Sequence, residues 1–442
     1  MKREDIVEKE IPVSQLQVGM HVVRLDRPWE ETTFLLQGFI LQSEEDVLAV
    51  QSQCKTVVIE GRVETALPPL KHSSRRLSQK HKAHRSAPET SLQTSPRSSG
   101  RRRVVYINKV DFSHEMETAS LSYKEAKATA NNIMSGLRLG RALDMNQVRN
   151  VVNHCVSSIF RNDNALLLLT KIKNKDEYTA EHSINVSILA AAFGKSLGLL
   201  EKEIRNLALC GLLHDVGKVG IENDILNKPG RLTPEEFDII KRHTTLGRDL
   251  LAATAGMADA AVDVAHSHHE RVDGKGYPRG LREQQIPLFA QLVGIVDTYD
   301  AITSSRIYGK GRSSMEALKI IHGNQNKHFN ADLAIKFIRM IGIYPPGSIV
   351  EMTNGEVAIV VESHASQKLY PRVLLVRDAG KRPLAAFTEI DLKTAPSDKQ
   401  GRLYRIAREV PDDTYGIEMK TFIEQGIFNH RPPISGSRSG ET

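Results

Sequence analysis

The sequence predicts a mainly α protein, in which a helical bundle lies between a small N-terminal α/β or β module and a small C-terminal β appendage. Three observations support this fold class. From Glu115 to about Ile343, apolar residues recur with the 3.6-residue period of a helix. On either side of that region they alternate with polar residues over short runs, as in strands. The chain has 442 residues and 40% apolar content, so it is longer than one typical domain and several folded units are expected.

Composition divides the chain into five segments. Residues 69–103 are rich in Ser, Arg, Lys, His and Pro. They offer too little apolar surface to offset the entropy of ordering, so we predict a disordered linker there. The predicted segments are an N-terminal accessory module at 1–68, the basic linker at 69–103, the helical domain at 104–343, the β appendage at 344–398 and a C-terminal tail at 399–442.

The two flanking modules are assigned from short runs with strand-like alternation. A turn at Asn354-Gly355 joins two runs of the C-terminal module, where a small barrel-like fold is expected. The N-terminal runs are Met20–Arg24, Thr33–Leu41 and Lys55–Glu60, and the C-terminal runs are Ser348–Met352, Glu356–Glu362 and Arg372–Arg377.

The net charge of +7 belongs to the linker, which holds ten lysines and arginines against a single acid, Glu89. The folded parts are therefore close to neutral, and nucleic acid is not expected as a partner. Contact of the linker with acidic partners or nucleic acid is the alternative to a solvated tether. Partner proteins, if any, are assigned to the N-terminal module or the linker, and the oligomeric state is left open.

The sequence favours a cytoplasmic protein that does not bind membranes. No apolar run reaches the roughly 18 to 20 residues that a membrane helix needs. The segment Met1–Glu10 is charged and lacks the apolar core of a secretory signal. Cys54, Cys155 and Cys210 lie far apart, so we interpret them as buried small hydrophobic residues and not as a disulfide framework.

The helical region carries a set of histidines and aspartates that is informative only when taken together. His182 shares a helical face with Val186 and Leu189, so it should point into the core, where an unpaired polar group is costly unless something binds it. A donor set without thiolates suits iron, manganese or another divalent metal. The candidate ligands are His182, His214, Asp215, His243, His268, His269 and Asp297.

Seven ligands are too many for one ion, so we predict two, with Asp215 bridging them. Such a pair acidifies a shared water, and the resulting hydroxide can attack phosphorus in line with the leaving oxygen. Lys218 follows His214 by four residues and Asp215 by three, so all three side chains can face one site, where the ammonium would meet phosphate charge. Asp215 and Lys218 are therefore the candidate catalytic residues. The alternative for Lys218 is a solvent-facing residue at a capped helix end.

The segment His268–Pro278 reads H-H-E-R-V-D-G-K-G-Y-P and resembles the signature of the HD-GYP family. The resemblance covers roughly residues 115 to 340. The N-terminal module is similar to a short domain often fused ahead of HD-GYP, on the basis of Val18-Gly19-Met20 and Gly38-Phe39. Further matching positions are Tyr178-Thr179 before His182, His214–Lys218, Lys228-Pro229-Gly230, Ile286-Pro287, and Asp297 followed by Asp300, Arg306 and Tyr308.

This resemblance implies an HD-type helical bundle that hydrolyses cyclic di-GMP to linear pGpG, and in some members onward to GMP, with two iron or manganese ions. It assigns Lys218 and Arg306 to phosphate, and Tyr277 to the substrate pocket. Asp300 is placed at the substrate site or as a partner of a ligand histidine or Lys218. By the same resemblance, one ion takes His182, His214, Asp215 and Asp297, and the other takes Asp215, His243, His268 and His269.

One departure and two alternatives accompany this prediction. Family members with a third metal have a glutamate four residues before the first histidine, whereas this chain has Tyr178, so we expect two ions. A non-catalytic module that binds cyclic dinucleotides or a partner protein is the first alternative, and the intact ligand set argues against it. The second is an HD hydrolase of another cyclic dinucleotide. A DNA-binding function would depend on the linker alone.

Overall fold

The computed structural model describes residues 6–26, 39–41, 44–62, 104–172, 178–304, 311–364 and 367–429. They form two compact units, divided between Arg103 and Val104. The predicted linker at 69–103 lies outside the described residues, as do Arg306 and Tyr308. Each unit is described by itself.

The N-terminal unit is an antiparallel sheet with one helix, as the alternating pattern predicted. The sheet order is β1-β4-β2-β3. Val22, Leu25, Leu41 and Val57 supply buried side chains to its core. The elements are β1 (Ile6–Pro12), β2 (His21–Leu25), β3 (Phe39–Ile40), α1 (Glu44–Gln53) and β4 (Thr56–Arg62).

The second unit begins with a helical bundle, which confirms the predicted fold class. Its helices are α2 (Phe112–Arg138), α3 (Met145–Arg161), α4 (Asp163–Leu169), α5 (Tyr178–Ser196), α6 (Glu201–Leu213), α7 (Asn223–Leu226), α8 (Pro234–Lys241), α9 (His243–Ala252), α10 (Asp259–Ser267), α11 (Leu288–Thr303), α12 (Ser314–Gly323) and α13 (Ala331–Ile341). Two 3₁₀ turns interrupt them, at Val216–Gly220 and Glu283–Gln285.

Helix α5 is the centre of the bundle. Its residues from Ala180 to Lys195 are all buried, and it contacts α2, α3, α6, α11 and α13. A helix that is buried on every side has no solvent face, so the one-sided pattern inferred from Val186 and Leu189 understates its burial. The consequence for the site is that His182, near the start of α5, lies inside the domain.

The C-terminal part of the second unit is a five-stranded antiparallel sheet with the order β8-β7-β6-β5-β9. The strands are β5 (Ile349–Met352), β6 (Val357–Glu362), β7 (Arg372–Arg377), β8 (Pro383–Asp391) and β9 (Ile406–Val410), and α14 (Met419–Glu424) follows them.

The predicted end of this appendage, at residue 398, is wrong because β9 pairs with β5 in the same sheet. The polar run before β9 looks like the start of a tail. It is a tight turn instead, in which the Asp398 carboxylate accepts hydrogen bonds from the backbone N–H groups of Gln400 and Arg402. The appendage therefore continues into the segment that had been assigned to the C-terminal tail.

Two further expectations concern the cysteines and membrane-spanning helices. Cys54, Cys155 and Cys210 are buried, as predicted. Over the ranges that the structure describes, no helix combines the length and the apolar character needed to cross a membrane.

Candidate metal centre

The seven predicted ligands meet in one buried cluster, although they are spread over five helices. His182 is on α5, and His214 with Asp215 directly follows α6. His243 is the first residue of α9, His268 and His269 follow α10, and Asp297 is on α11. Placing ligands at helix ends lets the bundle aim several side chains at one point. Two overlapping groups of donor atoms result, Asp215 with His243, His268 and His269, and Asp215 with His182 and His214.

Asp215 is shared because its two carboxylate oxygens face different histidines. Oδ2 lies 3.2 Å from His214 Nε2 and 3.8 Å from His182 Nε2. Oδ1 lies 3.3 Å from His243 Nε2 and 3.7 Å from His268 Nε2. The carboxylate is only 2% exposed. This is the geometry that a carboxylate needs to bridge two cations.

Asp297 completes one side of the cluster. Its Oδ1 lies 3.0 Å from His182 Nε2 and 3.7 Å from His214 Nε2, so it belongs with the pair that faces Asp215 Oδ2. His269 completes the other side, with its ring 4.1 Å from that of His268. The division of ligands into two sets therefore follows the grouping that the family resemblance implied.

The tautomers of the histidines are fixed by hydrogen bonds on the far side of each ring. Backbone carbonyls accept from Nδ1 of three of them, at 2.8 Å for His214, 2.7 Å for His243 and 3.0 Å for His268. A neutral imidazole that donates from Nδ1 keeps its lone pair on Nε2. When each of these rings is neutral, its Nε2 lone pair therefore points into the cluster, as metal ligation requires.

The polar atoms at the centre fit a cation better than they fit one another. His214 Nε2 and Asp215 Oδ1 are buried and lack a hydrogen-bond partner among the described residues. The Nε2 atoms of His243 and His268 approach to 3.3 Å, where two lone pairs would repel. Buried polar atoms without partners are costly, so this arrangement indicates that a cation is the intended occupant.

The surroundings raise the pKa of one candidate ligand and lower the pKa of others. Burial lowers the pKa of His214, but the carboxylates of Asp215 and Asp297 outweigh it and raise the pKa to about 10. Burial and the neighbouring His268 hold the pKa of His243 down at about 4, in spite of Asp215. Burial also opposes ionisation of Asp215, yet Lys218 and His214 keep its pKa well below the usual range.

We predict that metal binding releases protons from the metal-free protein. With a pKa near 10, His214 is protonated at pH 7.5 and must lose that proton before it can bind a metal. Calorimetric titration with Mn²⁺ in two buffers of different ionisation enthalpy should therefore give different apparent enthalpies. Because the proton is already lost above the raised pKa, the difference should shrink as the pH approaches 10. Identical enthalpies in both buffers at pH 7.5 would contradict the protonated state of His214.

Lys218 lies on the 3₁₀ turn that follows Asp215, and its ammonium donates to Asp215 Oδ2 at 2.5 Å. The lysine is 22% exposed, so it stands between the buried carboxylate and solvent. This position agrees with the predicted approach of His214, Asp215 and Lys218 to one site. A capped helix end with Lys218 turned to solvent does not describe it, since the side chain points inward to Asp215.

The turn that carries Lys218 is held by a close backbone contact at Gly217. A Cβ on Gly217 would lie 2.0 Å from the carbonyl oxygen of His243 and 2.4 Å from the backbone nitrogen of Gly247. Any side chain there would push α9 away. Glycine therefore brings the start of α9, with His243, next to Asp215.

Asp300 contacts the candidate ligand His182. Its Oδ2 lies 2.7 Å from His182 Nδ1 and accepts a 3.2 Å hydrogen bond from the Ser304 hydroxyl. The residue is 1% exposed. These contacts agree with the alternative, a partner of a candidate ligand histidine, and the assignment to the substrate site stays a prediction. Arg306, assigned to phosphate, lies outside the described residues.

Comparison with known proteins gives the family. The model of the HD domain matches residues 167–333, which contain all seven ligands. A model described as a domain of unknown function, DUF3391, matches residues 8–148. A cyclic di-GMP phosphodiesterase of Pseudomonas aeruginosa is 36% identical over 367 residues, which are 83% of this chain and 84% of that protein. This chain belongs to the HD-GYP family. It is a phosphodiesterase.

Other relatives match a smaller part of the chain. A cyclic di-GMP phosphodiesterase of Thermotoga maritima is 36% identical over 38% of this chain and 45% of that protein. A 3'3'-cGAMP-specific phosphodiesterase of Vibrio cholerae is 37% identical over 36% of each chain. The chain thus spans less than half the length of these two.

The HD-GYP signature loop is shaped by its glycines. Gly274 has a φ of +76°, which a residue with a side chain rarely adopts. A Cβ on Gly276 would lie 2.3 Å from the backbone nitrogen of Arg271 and 2.5 Å from Glu270 Cα. The loop is thereby folded back on itself. Tyr277 follows directly and is held over the ligands, with its ring 4.7 Å from that of His269.

A cavity of about 290 Å³ opens beside the HD-GYP ligands, and sequence reasoning missed one of its walls. Phe237 on α8 is 45% exposed, and its ring lies edge-on to Tyr277 at 6.1 Å. Its only sequence signal is an aromatic residue among acidic ones on a short helix. Among the other residues that line the cavity are His268, His269, Arg271, Lys275, Tyr277 and His328. Aromatic walls next to basic groups suit a nucleotide, whose base stacks and whose phosphate is negative.

Proposed function

We propose that this chain hydrolyses cyclic di-GMP to linear pGpG at a centre of two divalent cations, with iron or manganese as the expected metal. The observation that carries the proposal is the shared Asp215, whose two oxygens face separate groups of histidines. The relative from Pseudomonas aeruginosa, which matches 83% of this chain, is named a cyclic di-GMP phosphodiesterase. That name supports cyclic di-GMP as the proposed substrate.

Each candidate ligand is assigned to one of the two ions, and Asp215 to both. His182, His214, Asp215 and Asp297 would hold one ion, and Asp215, His243, His268 and His269 the other. Two such ions, when bound, supply an acidified shared water and offset negative charge on the phosphate. Asp300 keeps the His182 ring oriented through its contact with Nδ1. The backbone carbonyls do the same for three other histidines.

Substrate contacts are assigned to the residues around the opening of the site. Lys218 is in direct contact with the cluster through Asp215 Oδ2, and its ammonium would meet a phosphoryl oxygen of the substrate. Tyr277 and Phe237 offer ring faces to a purine beside His269. Arg306 is retained as a phosphate contact on the resemblance alone.

The deciding experiment is turnover of two cyclic dinucleotides by the manganese-loaded chain. Cyclic di-GMP and 3'3'-cGAMP are supplied at equal concentration, and the products are separated by chromatography. We expect pGpG from cyclic di-GMP at the higher kcat/KM. A preference for 3'3'-cGAMP would favour the specificity of the Vibrio cholerae relative. Binding of either ligand without cleavage would favour the non-catalytic alternative.

The number of metals is a separate prediction, which depends on Tyr178 at the first residue of α5. A phenol is a poor ligand at neutral pH, since its ordinary pKa is about 10. We therefore expect two equivalents of metal per chain and accumulation of pGpG before any GMP. Metal analysis of the wild type beside a Tyr178→Glu variant tests this, because the glutamate should add a third equivalent. Three equivalents in the wild type, or GMP without a linear intermediate, would refute it.

A further inference from the structure

Three parts of the second unit meet at Ser314, the first residue of α12. Ser314 is 1% exposed. Its hydroxyl oxygen accepts a hydrogen bond from Lys171 Nζ at 2.6 Å and one from the Tyr299 hydroxyl at 3.1 Å. Lys171 follows α4, and Tyr299 is on α11. We call Lys171, Tyr299, Ser314 and Glu409 the Ser314 network.

Glu409 brings the C-terminal sheet into this network. It lies on β9 opposite Val350 of β5. Its carboxylate accepts from the backbone N–H groups of Ser314 at 3.4 Å and Met315 at 3.3 Å, and from the Ser348 hydroxyl at 3.0 Å. A carboxylate at the N-terminus of α12 is favoured by the exposed N–H groups and the helix dipole. The sheet therefore anchors the start of α12.

Lys171 ties the same carboxylate to the helices electrostatically. Burial lowers the pKa of its ammonium, but Tyr299 and Glu409 outweigh the burial and raise it, so the charge is kept. Packing is equally close. A Cβ on Gly347, in the turn before β5, would lie 2.6 Å from Lys171 Cγ. Sheet and bundle are thus in direct contact on both sides of Lys171.

Tyr299 connects the network to the metal ligands. It lies on α11 between Asp297 and Asp300, is 3% exposed, and packs its ring 5.4 Å from that of Phe337. Asp297 and Asp300 contact opposite nitrogens of His182, at 3.0 Å and 2.7 Å. A rotation or slide of α11 would therefore disturb both contacts at once, and small misplacements in such sites carry large costs.

We infer that Glu409 is a positioning residue for the metal centre, which acts through Ser314 and Tyr299 to hold α11, and that the C-terminal sheet is thereby a working part of the catalytic unit. The inference rests on the proposed metal centre but not on the identity of the substrate. A purely structural Glu409 would support folding without affecting the metal.

The test is a double-mutant cycle on metal affinity in the full chain. Glu409→Gln removes the charge, and Tyr299→Phe removes only the hydroxyl that donates to Ser314. Mn²⁺ affinity is measured by competition with a chromogenic chelator. We expect each variant to bind Mn²⁺ about tenfold more weakly, the scale of one lost buried hydrogen bond. The double variant should be little weaker than the weaker single variant, because both changes break one connection.

Glu351→Gln is the matched control. Glu351 is also a glutamate of this sheet, but its ion-pair partners are Lys381 and Arg408. We expect Glu351→Gln to lower the melting temperature while leaving Mn²⁺ affinity within about twofold of the wild type, since substitutions at sites that share no partners usually act independently. If Glu409→Gln does not fold, Ser314→Ala takes its place in the cycle with Tyr299→Phe.

Three outcomes would overturn the inference while leaving the proposed metal centre intact. Unchanged Mn²⁺ affinity in both single variants would leave Glu409 with a structural role alone. If the two losses of Mn²⁺ affinity multiply in the double variant, Glu409 and Tyr299 act on the metal centre independently. An equal loss of Mn²⁺ affinity in Glu351→Gln would show that the effect of Glu409→Gln comes from general destabilisation of the protein. A wild-type chain that binds no metal would overturn the proposed centre as well, so the two failures are distinguishable.

Discussion

Replacing Asp215 by alanine is expected to lower turnover of cyclic di-GMP by about a thousandfold or more and to reduce bound metal below two equivalents. The carboxylate is the one ligand whose two oxygens serve both groups of histidines. Its loss also leaves Lys218 and a protonated His214 without their buried counter-charge. Both sides of the centre should therefore fail together. Turnover and metal analysis on the same preparation are the measurements.

Two further variants make the Asp215 result specific. Asp215→Asn keeps the shape but removes the charge, so it should lose metal almost as fully as alanine. Asp332→Asn, an exposed aspartate on α13 paired with Lys336, should keep full activity. Thermal unfolding of all three checks that they fold. A folded Asp215→Ala protein with two metals and normal turnover would remove Asp215 from the bridging position.

Replacing Lys218 by alanine is expected to lower kcat by about a hundredfold while two metals remain bound. The ammonium touches Asp215 Oδ2 but is not a ligand, since it has no lone pair to give while protonated. Its removal should make Oδ2 more available to a metal, so Mn²⁺ affinity should stay the same or rise. Steady-state kinetics at saturating Mn²⁺, together with metal analysis, separate the two effects.

Lys241→Ala is the matched control for Lys218. Lys241 is a lysine on α8 whose ammonium pairs with Asp238 and lies over the Phe237 ring. We expect its loss to change kcat by less than about threefold, because partly exposed pairs of this kind contribute little. Loss of metal in Lys218→Ala would show that the lysine maintains the ligand geometry and does not meet phosphate.

The cluster of candidate metal ligands could be predicted from the sequence because its members belong to short local motifs. A histidine pair before a glycine-rich loop and an aspartate after a histidine are short patterns, and apolar neighbours such as Val186 and Leu189 indicate burial. The helical class and most strands followed from periodicity for the same reason. The tautomers did not, because Nδ1 of His214 and His243 contact carbonyls whose position depends on how each helix ends.

Contacts between segments that are far apart in the sequence leave no such local pattern. Glu409 contacts Ser314 across 95 positions of sequence, and β9 pairs with β5 after a polar turn that resembles a domain end. Phe237 reaches Tyr277 only because α8 and the signature loop fold together. Asp300 was assigned ambiguously, since a carboxylate one turn after a ligand can face either substrate or a histidine ring. Tertiary packing decides each of these.

Because the candidate ligands are spread over five helices, metal binding depends on the folding of the whole bundle. An unfolded chain holds His182 and Asp297 more than a hundred residues apart, so only the folded state can collect the full set. A ligand that binds the folded state alone stabilises it by about 4 kcal/mol at a thousandfold excess over its Kd. If the proposed centre binds its metal in the cell, the metal supply would thus set the lifetime of this protein against proteolysis as well as its activity, and a metal-starved cell would lose the enzyme itself.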